Sequence, residues 1–331
     1  MKAATQDRFG PPEVVTIRDR PTPVPEPKAV LIRVGAAAVT TADWRIRAAA
    51  FPGITWLPGR IMFGLRRPKV PVLGVTMAGT VVATGEGVTR FQVGERVFGF
   101  VGQGGHAEYI AVKEDAAIIA TPEALSDVEA TALPFGGASA LVFLRDVAKL
   151  TAGQHVLIVG ASGAVGSYAV QIARILGAEV TAVAGPGRAD MLTALGAHHV
   201  VDYRREDPAS LRSQYDVVFD TIGATRWSTM RHRLKPGGVF VPLNMGGREL
   251  WDMIHAKVTG GPRVALSVSG DTAEDLEQLV RWIAEGTLRP VVDSVFPLAR
   301  IVDAYEQVET RHSAGTVVVS IEPAAEATQT V

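Results

Sequence analysis

Two hydrophobic periodicities divide this chain. Through residues 1–122, short β-branched runs alternate with glycine and proline turns: AVLIRVGAAAV (29–39), AGTVVATG (78–85), ERVFGF (95–100) and HAEYIAV (106–112). Runs of that length and spacing predict a β-rich, barrel-like domain. From 123 onward the pattern becomes apolar strands alternating with amphipathic helices. Strands are predicted at 155–159, 179–184, 199–202, 216–220, 238–243 and 263–268, and helices at 126–149, 164–177, 187–196, 225–234, 248–259 and 272–285. This alternation predicts a doubly wound parallel sheet of the Rossmann type, so the fold class is α/β. The last segment, from LRPVV to TVVVSIE, reads strand, helix, strand, and is expected to rejoin the first domain. The stretch 51–69, FPGITWLPGRIMFGLRRPK, reads as a long, partly helical loop, either a surface excursion or a lid over a site.

Length supports two domains, because 331 residues exceed the roughly 250–300 at which a single core stops growing. The expected division is 1–122 with 287–331 as the substrate domain, and 123–286 as the nucleotide domain. A formal charge of −1 with interspersed signs gives no electrostatic footprint for nucleic acid or an anionic membrane. The N-terminus shows no apolar leader and no apolar run approaches the roughly 18 residues of a membrane span, so a cytoplasmic protein is expected. Zero cysteines exclude disulfides, thiol catalysis and thiolate-bound zinc, and no metal site is predicted.

The chemistry concentrates in HVLIVGASGAVGSYAVQIARILGA (155–178), an apolar strand, a glycine-broken turn and an apolar-faced helix. Ala161, Gly163 and Gly166 occupy the three positions of a dinucleotide fingerprint, with Ser162, Ala164 and Val165 between them. Gly163 lets the backbone approach a pyrophosphate, Gly166 allows close helix–strand packing, and the helix N-terminus offers N–H groups to anionic oxygens. The next strand, EVTAVA, ends in GPGR rather than in the acid that would bind ribose hydroxyls and repel a 2′-phosphate. Gly185 and Arg188 therefore point to NADPH as the cofactor, with Tyr203 a candidate at the adenosine end.

These motifs, with MKA…FGPPEVV, PVLGVTMAGTVVATGEGVTRFQVGERVFGF, GGHAEYIAV, LGAHHVVDYR, VVFDTIG and LKPGGVFV, resemble the medium-chain dehydrogenase/reductase superfamily over nearly the whole length. The likeness is to its zinc-free quinone oxidoreductase-like branch. It implies a GroES-like catalytic domain beside the Rossmann domain and a homodimer. It also implies a 2′-phosphate held by Arg188, Tyr203 and Arg311, and a nicotinamide bordered by Gly223 of DTIG and Asn244 of LNMGG. Two positions depart from the branch: Thr40 stands where asparagine is frequent, and Thr76 where an acid is frequent.

The resemblance implies NADPH-dependent, zinc-independent reduction of quinones or α,β-unsaturated carbonyl compounds. Hydride transfer leaves negative charge on the substrate's carbonyl oxygen, which calls for a donor beside it. Thr40, Asp43 through a water, and His106 are the candidates. The Tyr-x-x-x-Lys spacing at 109–113 is set aside, since that chemistry needs a helix and YIAVK alternates like a strand. Two alternatives stand: an enoyl-thioester reductase with Arg60, Arg66, Arg67 and Lys69 on a carrier phosphate, and an NADPH-binding regulatory protein without turnover.

Overall fold

The long apolar run at 29–39 organises the first half of the molecule, because it is paired along both edges and is buried at most of its positions, Arg33 being the exposed exception. A computed structural model describes residues 1–268 and 272–321. Its strands are β1 (Lys2–Thr5), β2 (Thr16–Asp19), β3 (Ala29–Val39), β4 (Thr76–Thr84), β5 (Arg96–Phe100), β6 (Tyr109–Lys113), β7 (Ile118–Ala120), β8 (His155–Val159), β9 (Glu179–Ala184), β10 (His199–Asp202), β11 (Tyr215–Asp220), β12 (Leu234–Pro242), β13 (Arg263–Val264), β14 (Val292–Pro297) and β15 (Thr316–Ser320). The helices used below are α1 (Thr41–Ala48), α2 (Trp56–Phe63), α3 (Asp127–Ala148), α4 (Ala164–Ile175), α5 (Ala189–Ala194), α6 (Trp227–Met230), α7 (Gly247–Thr259), α8 (Ala273–Ala284) and α9 (Ile301–Glu309).

One sheet runs β14-β15-β3-β4-β5-β7, with β6 also on β3. The tail strands do return to the sheet of the first half: β15 lies antiparallel on β3 with Val317 opposite Val39. The YIAVK stretch is strand β6, as its alternation required. The second sheet runs β10-β9-β8-β11-β12-β13 and is parallel throughout. Its order reverses between β8 and β11, the topological switch point at which doubly wound sheets open a crevice at their carboxyl ends.

Two expected elements need correction, while the partly helical reading of 51–69 agrees with the structure. The strand foreseen at 263–268 stops at Val264; only Ala265 adds one more bond to β12, and Ser267 and Val268 turn to line the crevice instead. The helix foreseen at 225–234 is the single turn α6, because Leu234 already pairs with Tyr215 as the start of β12. Within 51–69, a 3₁₀ turn at Gly53–Thr55 runs into α2, and Phe63 stacks on Phe51 at 5.5 Å to hold the excursion together.

Helix α3 begins at a capping box, in which Ser126 and Glu129 bond each other's backbone N–H, and it contains two π-helical segments. Contrary to the sequence reading it is long and apolar enough to cross a bilayer, but 78% of its apolar window is buried inside the protein. Leu141, Phe143 and Leu144 pack there with Ile158, Tyr168 and Phe219, so its hydropathy is that of a core helix. A separate core under β3 gathers Ile32, Val34, Met77, Val97 and Tyr305.

The turn after β4 is pinned by one carboxylate. Glu114 accepts the N–H groups of Thr89 at 2.7 Å and Arg90 at 3.0 Å and pairs with Lys28 at 3.0 Å. The two backbone hydrogen bonds, followed by Lys28, lower its pKa from 4.5 to about 2. A carboxylate with a depressed folded pKa stabilises the fold above its unfolded pKa and loses that contribution as pH falls through the folded value. In urea titrations, the stability difference between wild type and Glu114→Gln should therefore be constant above pH 4.5 and vanish towards pH 2. A difference independent of pH across that window would contradict the assignment.

Candidate active site

The glycine turn behaves as a backbone cradle. Gly163 caps α4 without a side-chain hydrogen bond, so the first N–H groups of a twelve-residue helix are uncapped where Gly163, Ala164 and Val165 line the crevice. A Cβ on Gly166 would lie 2.1 Å from the Gly160 carbonyl oxygen and 2.7 Å from the Ala161 Cα, so no other residue permits that approach. Ala161 is fully buried behind the turn and Ser162 is half-buried on it. Sequence reasoning passed over Gly160, which adopts φ +77° and whose Cβ would strike Thr221 and Ile222 at 2.7 Å. Its signal was adjacency, one residue before the fingerprint. The cradle fits a dinucleotide's pyrophosphate.

The candidates for the adenosine end come from three segments. Gly185 follows β9, and a Cβ there would meet the Tyr203 ring at 3.4 Å. Arg188, three residues on, donates to the His312 carbonyl at 3.1 Å. That bond brings it beside Arg311, which sits at φ +57° just beyond α9 and lays its guanidinium 5.2 Å over the Trp44 ring. Arg311 lines the crevice, whereas Arg188 and Tyr203 lie beyond its lining.

At the other end the loops after β11 and β12 meet. The buried Asp220 carboxylate accepts N–H groups from Ile222, Gly223, Ala224 and Thr225, which fixes the DTIG turn. Gly223, at φ +72°, leaves the space that Asn244 enters; a Cβ there would be 2.3 Å from the Asn244 Nδ2. The crevice between the two sheets holds about 410 Å³, with Phe51, Phe63, Phe135 and Phe143 among its walls, within the usual range for small-molecule sites.

The structure redistributes the three donor candidates. Thr40 lines the crevice, but it is the N-cap of α1: its hydroxyl donates to Asp43 Oδ2 at 2.7 Å and accepts the Asp43 N–H at 3.2 Å. Asp43 is fully buried, and its carboxylate also accepts the Thr40, Gly74 and Val75 N–H groups at 2.9–3.1 Å. It has no capacity left to orient a water in the crevice. His106 is likewise fully buried, with Nε2 on the Ala38 carbonyl at 2.9 Å and Nδ1 facing the Tyr305 hydroxyl at 3.4 Å. It does not reach the crevice. Thr76 is buried against the Thr131 hydroxyl at 3.4 Å.

A residue that sequence reasoning did not select takes their place at the wall. Asp43 and Arg47, one helical turn apart, face inward on α1. Arg47 is fully buried, bonded to Glu309 and the Gly10 carbonyl, with its guanidinium 5.1 Å over Tyr305. Arg45 between them therefore turns to the opposite face. It lines the crevice and donates to Asn244 Oδ1 across it. Burial, reinforced by the nearby Arg311 charge, lowers its affinity for its proton. The i, i+4 spacing of Asp43 and Arg47 signals only that Arg45 lies on the other face of α1; that it has no acidic partner is visible only in the fold.

The basic residues of 51–69 stay out of the crevice. Arg60 stacks 4.4 Å over Phe9, Lys69 donates to the Ile61 carbonyl, and Arg66 and Arg67 are exposed.

A parallel sheet with a glycine cradle at its switch point, facing a second sheet across an aromatic crevice, defines a nicotinamide-dependent oxidoreductase of two-domain type. Comparison with known proteins agrees: residues 26–123 match the alcohol dehydrogenase GroES-like domain and residues 195–319 the zinc-binding dehydrogenase family. The chain is 30% identical to the chloroplast envelope quinone oxidoreductase homolog of Arabidopsis thaliana, over 90% of this chain and 92% of that one. It is 31% identical to the NADPH-dependent alkenal/one oxidoreductase of the same plant, covering 96% and 79%. The quinone oxidoreductase structure from Coxiella burnetii superposes with a TM-score of 0.87 at 29% identity, covering 97% and 99%. The chain belongs to the medium-chain dehydrogenase/reductase superfamily, in its zinc-free quinone oxidoreductase-like branch. The family model's zinc does not transfer: the chain has no cysteine, and no metal-holding group of His, Asp and Glu occurs among the described residues.

Gly166→Ala should cost about 1–3 kcal/mol of stability, the usual range for overpacking, and abolish dinucleotide binding. Gly247→Ala, with nothing within 4 Å of its Cβ, is the neutral control. Thermal denaturation with and without cofactor reads both. An alanine at 166 that still binds would show the cradle to be slack.

Proposed function

We propose that this protein is an NADPH-dependent, zinc-independent reductase of quinones or α,β-unsaturated carbonyl compounds. The observation that carries the reading is the charge of the crevice: Arg45 and Arg311 line it, and among the described residues no aspartate or glutamate does. Such a site suits a polyanionic cofactor and a reaction that places charge on an oxygen.

The bound nicotinamide would supply a hydride. The chain's own residues do the rest. The uncapped start of α4 holds the pyrophosphate, and Arg188, Tyr203 and Arg311 take the 2′-phosphate, an arrangement favoured by Gly185 at the position of the usual acid. Gly223 and Asn244 border the nicotinamide, and the phenylalanine walls exclude water from the acceptor. The final proton comes from solvent. Names of relatives support the acceptor class, one being a quinone oxidoreductase homolog and another an alkenal/one reductase. A homodimer is part of the proposal, since among the described residues the short strand β13 ends the parallel sheet with no strand on its outer side, an edge that a second copy could pair with.

Turnover is tested by titrating the metal-stripped protein with NADPH and NADH, then adding quinones and enones at saturating cofactor. NADPH preference with turnover is expected; tight binding with no turnover on any acceptor would favour a regulatory protein. Arg188→Ala should weaken NADPH binding by about 1.5–3 kcal/mol, the range for hydrogen bonds to charged groups, and leave NADH unchanged. Equal losses for both cofactors would mean that Arg188 does not read the 2′-phosphate.

A further inference from the structure

We propose that Arg45 is a catalytic residue of this site: its guanidinium receives the negative charge that develops on the substrate's carbonyl oxygen. The proposal rests on the reductase reading and assigns it the donor that Thr40, Asp43 and His106 do not provide.

Each of those three has its protons or lone pairs committed within the fold. The single hydroxyl proton of Thr40 goes to Asp43 Oδ2. The carboxylate of Asp43 is filled by four donors. The ring nitrogens of His106 face Ala38 and Tyr305 in the core. Arg45 differs in every respect. It lines the crevice, one of its five N–H groups goes to Asn244, and among the described residues no carboxylate pairs with it. The bond to Asn244 aims the guanidinium at the loop after β12, opposite the DTIG turn, where the reacting part of the cofactor is placed by the proposed reading.

A partly buried cation with no counter-charge is costly to keep. The neighbouring Arg311 raises that cost, and an anion arriving in the crevice lowers it. The cofactor's phosphates have donors of their own in the α4 N-terminus and the Arg188–Arg311 pair, so they do not account for Arg45. The reaction does. Hydride forms a C–H bond at the β-carbon, the C=C pair shifts to the α-carbon–carbonyl bond, and the C=O pair moves onto oxygen. The dihydronicotinamide is oxidised and the enone reduced, giving an enolate that a solvent proton completes at the α-carbon. For a quinone, the same addition leaves the keto tautomer of the quinol monoanion, again with its charge on an oxygen, and loss of the ring-carbon proton to solvent with protonation at oxygen completes the quinol. Arginine does not give up its proton in proteins, so Arg45 stabilises the oxyanion rather than protonating it.

The test compares wild type with Arg45→Gln, Arg45→Ala and Arg45→Lys, all checked for unchanged thermal midpoint. Loss of one oxyanion donor lowers kcat by about 100-fold or more, so that loss is expected in Arg45→Gln with the NADPH Kd unchanged. Partial recovery is expected in Arg45→Lys, and in Arg45→Ala on adding guanidinium ion. A second readout needs no turnover: 4-nitrophenol bound to wild type should titrate below its free pKa, seen by its phenolate absorbance, and Arg45→Gln should abolish the shift. Unchanged kcat in Arg45→Gln, or a loss explained wholly by weaker NADPH binding, would overturn the proposal. If wild type reduces no quinone or enone the reductase reading falls, and the nitrophenol titration decides alone: an unshifted titration in wild type removes the anion site as well.

Discussion

A single buried carboxylate holds the catalytic side of this molecule together. Asp43 has no contact with water, and an ionised group in that position survives only if every lone pair is used. Here the Thr40 backbone and hydroxyl, Gly74 and Val75 supply the donors, which ties the first turn of α1 to the segment entering β4. One turn later Arg47 fixes the same helix to Glu309 at the end of α9. With both ends of one face anchored, the helix has one rotational setting. That setting presents Trp44 and Arg45 to the crevice and places Arg311 over the Trp44 ring.

The buried cluster also explains why groups that look reactive are inert. His106 sits edge-on to Tyr305, whose phenol is pushed well above its usual pKa by burial and further by Asp43, with Arg47 lying over its ring. Asp43 and His106 thus have their hydrogen-bond partners inside the fold rather than in the crevice. Among the described residues, the charged side chains that line the crevice are the cations Arg45 and Arg311. An overall charge of −1 hides this local imbalance: no acid occurs between Asp43 and Glu86, the stretch that carries Arg45, although the other cations of that stretch lie outside the crevice.

Much of the nucleotide half was legible in the sequence. Strands 155–159, 179–184 and 199–202 fall where continuous apolar runs bounded by glycine put them, and the fingerprint is local, so spacing alone exposed it. Gly166 illustrates the limit of what a motif must encode: one steric contact between neighbouring segments. Elements set by distant partners were misread. Residues 265–268 are mostly apolar and read as the continuation of a strand, yet beyond Val264 the edge of the sheet gives them only the one bond of Ala265. The donor side failed for the same reason. Thr40, Asp43 and His106 carry suitable chemistry, but Gly74, Val75, Ala38 and Tyr305, remote in sequence, had already claimed it. Arg45 was overlooked because its value lies in lacking an acidic partner, a property that only the folded chain reveals.

The most direct measurement of this account is a crystal structure of the protein with NADP⁺ and a phenolate that mimics the reduced acceptor. The account predicts pyrophosphate oxygens on the N–H groups at the start of α4, the 2′-phosphate between Arg188 and Arg311, and the phenolate oxygen within hydrogen-bonding distance of Arg45. A phenolate bound away from Arg45, with the guanidinium turned to a cofactor phosphate, would contradict it.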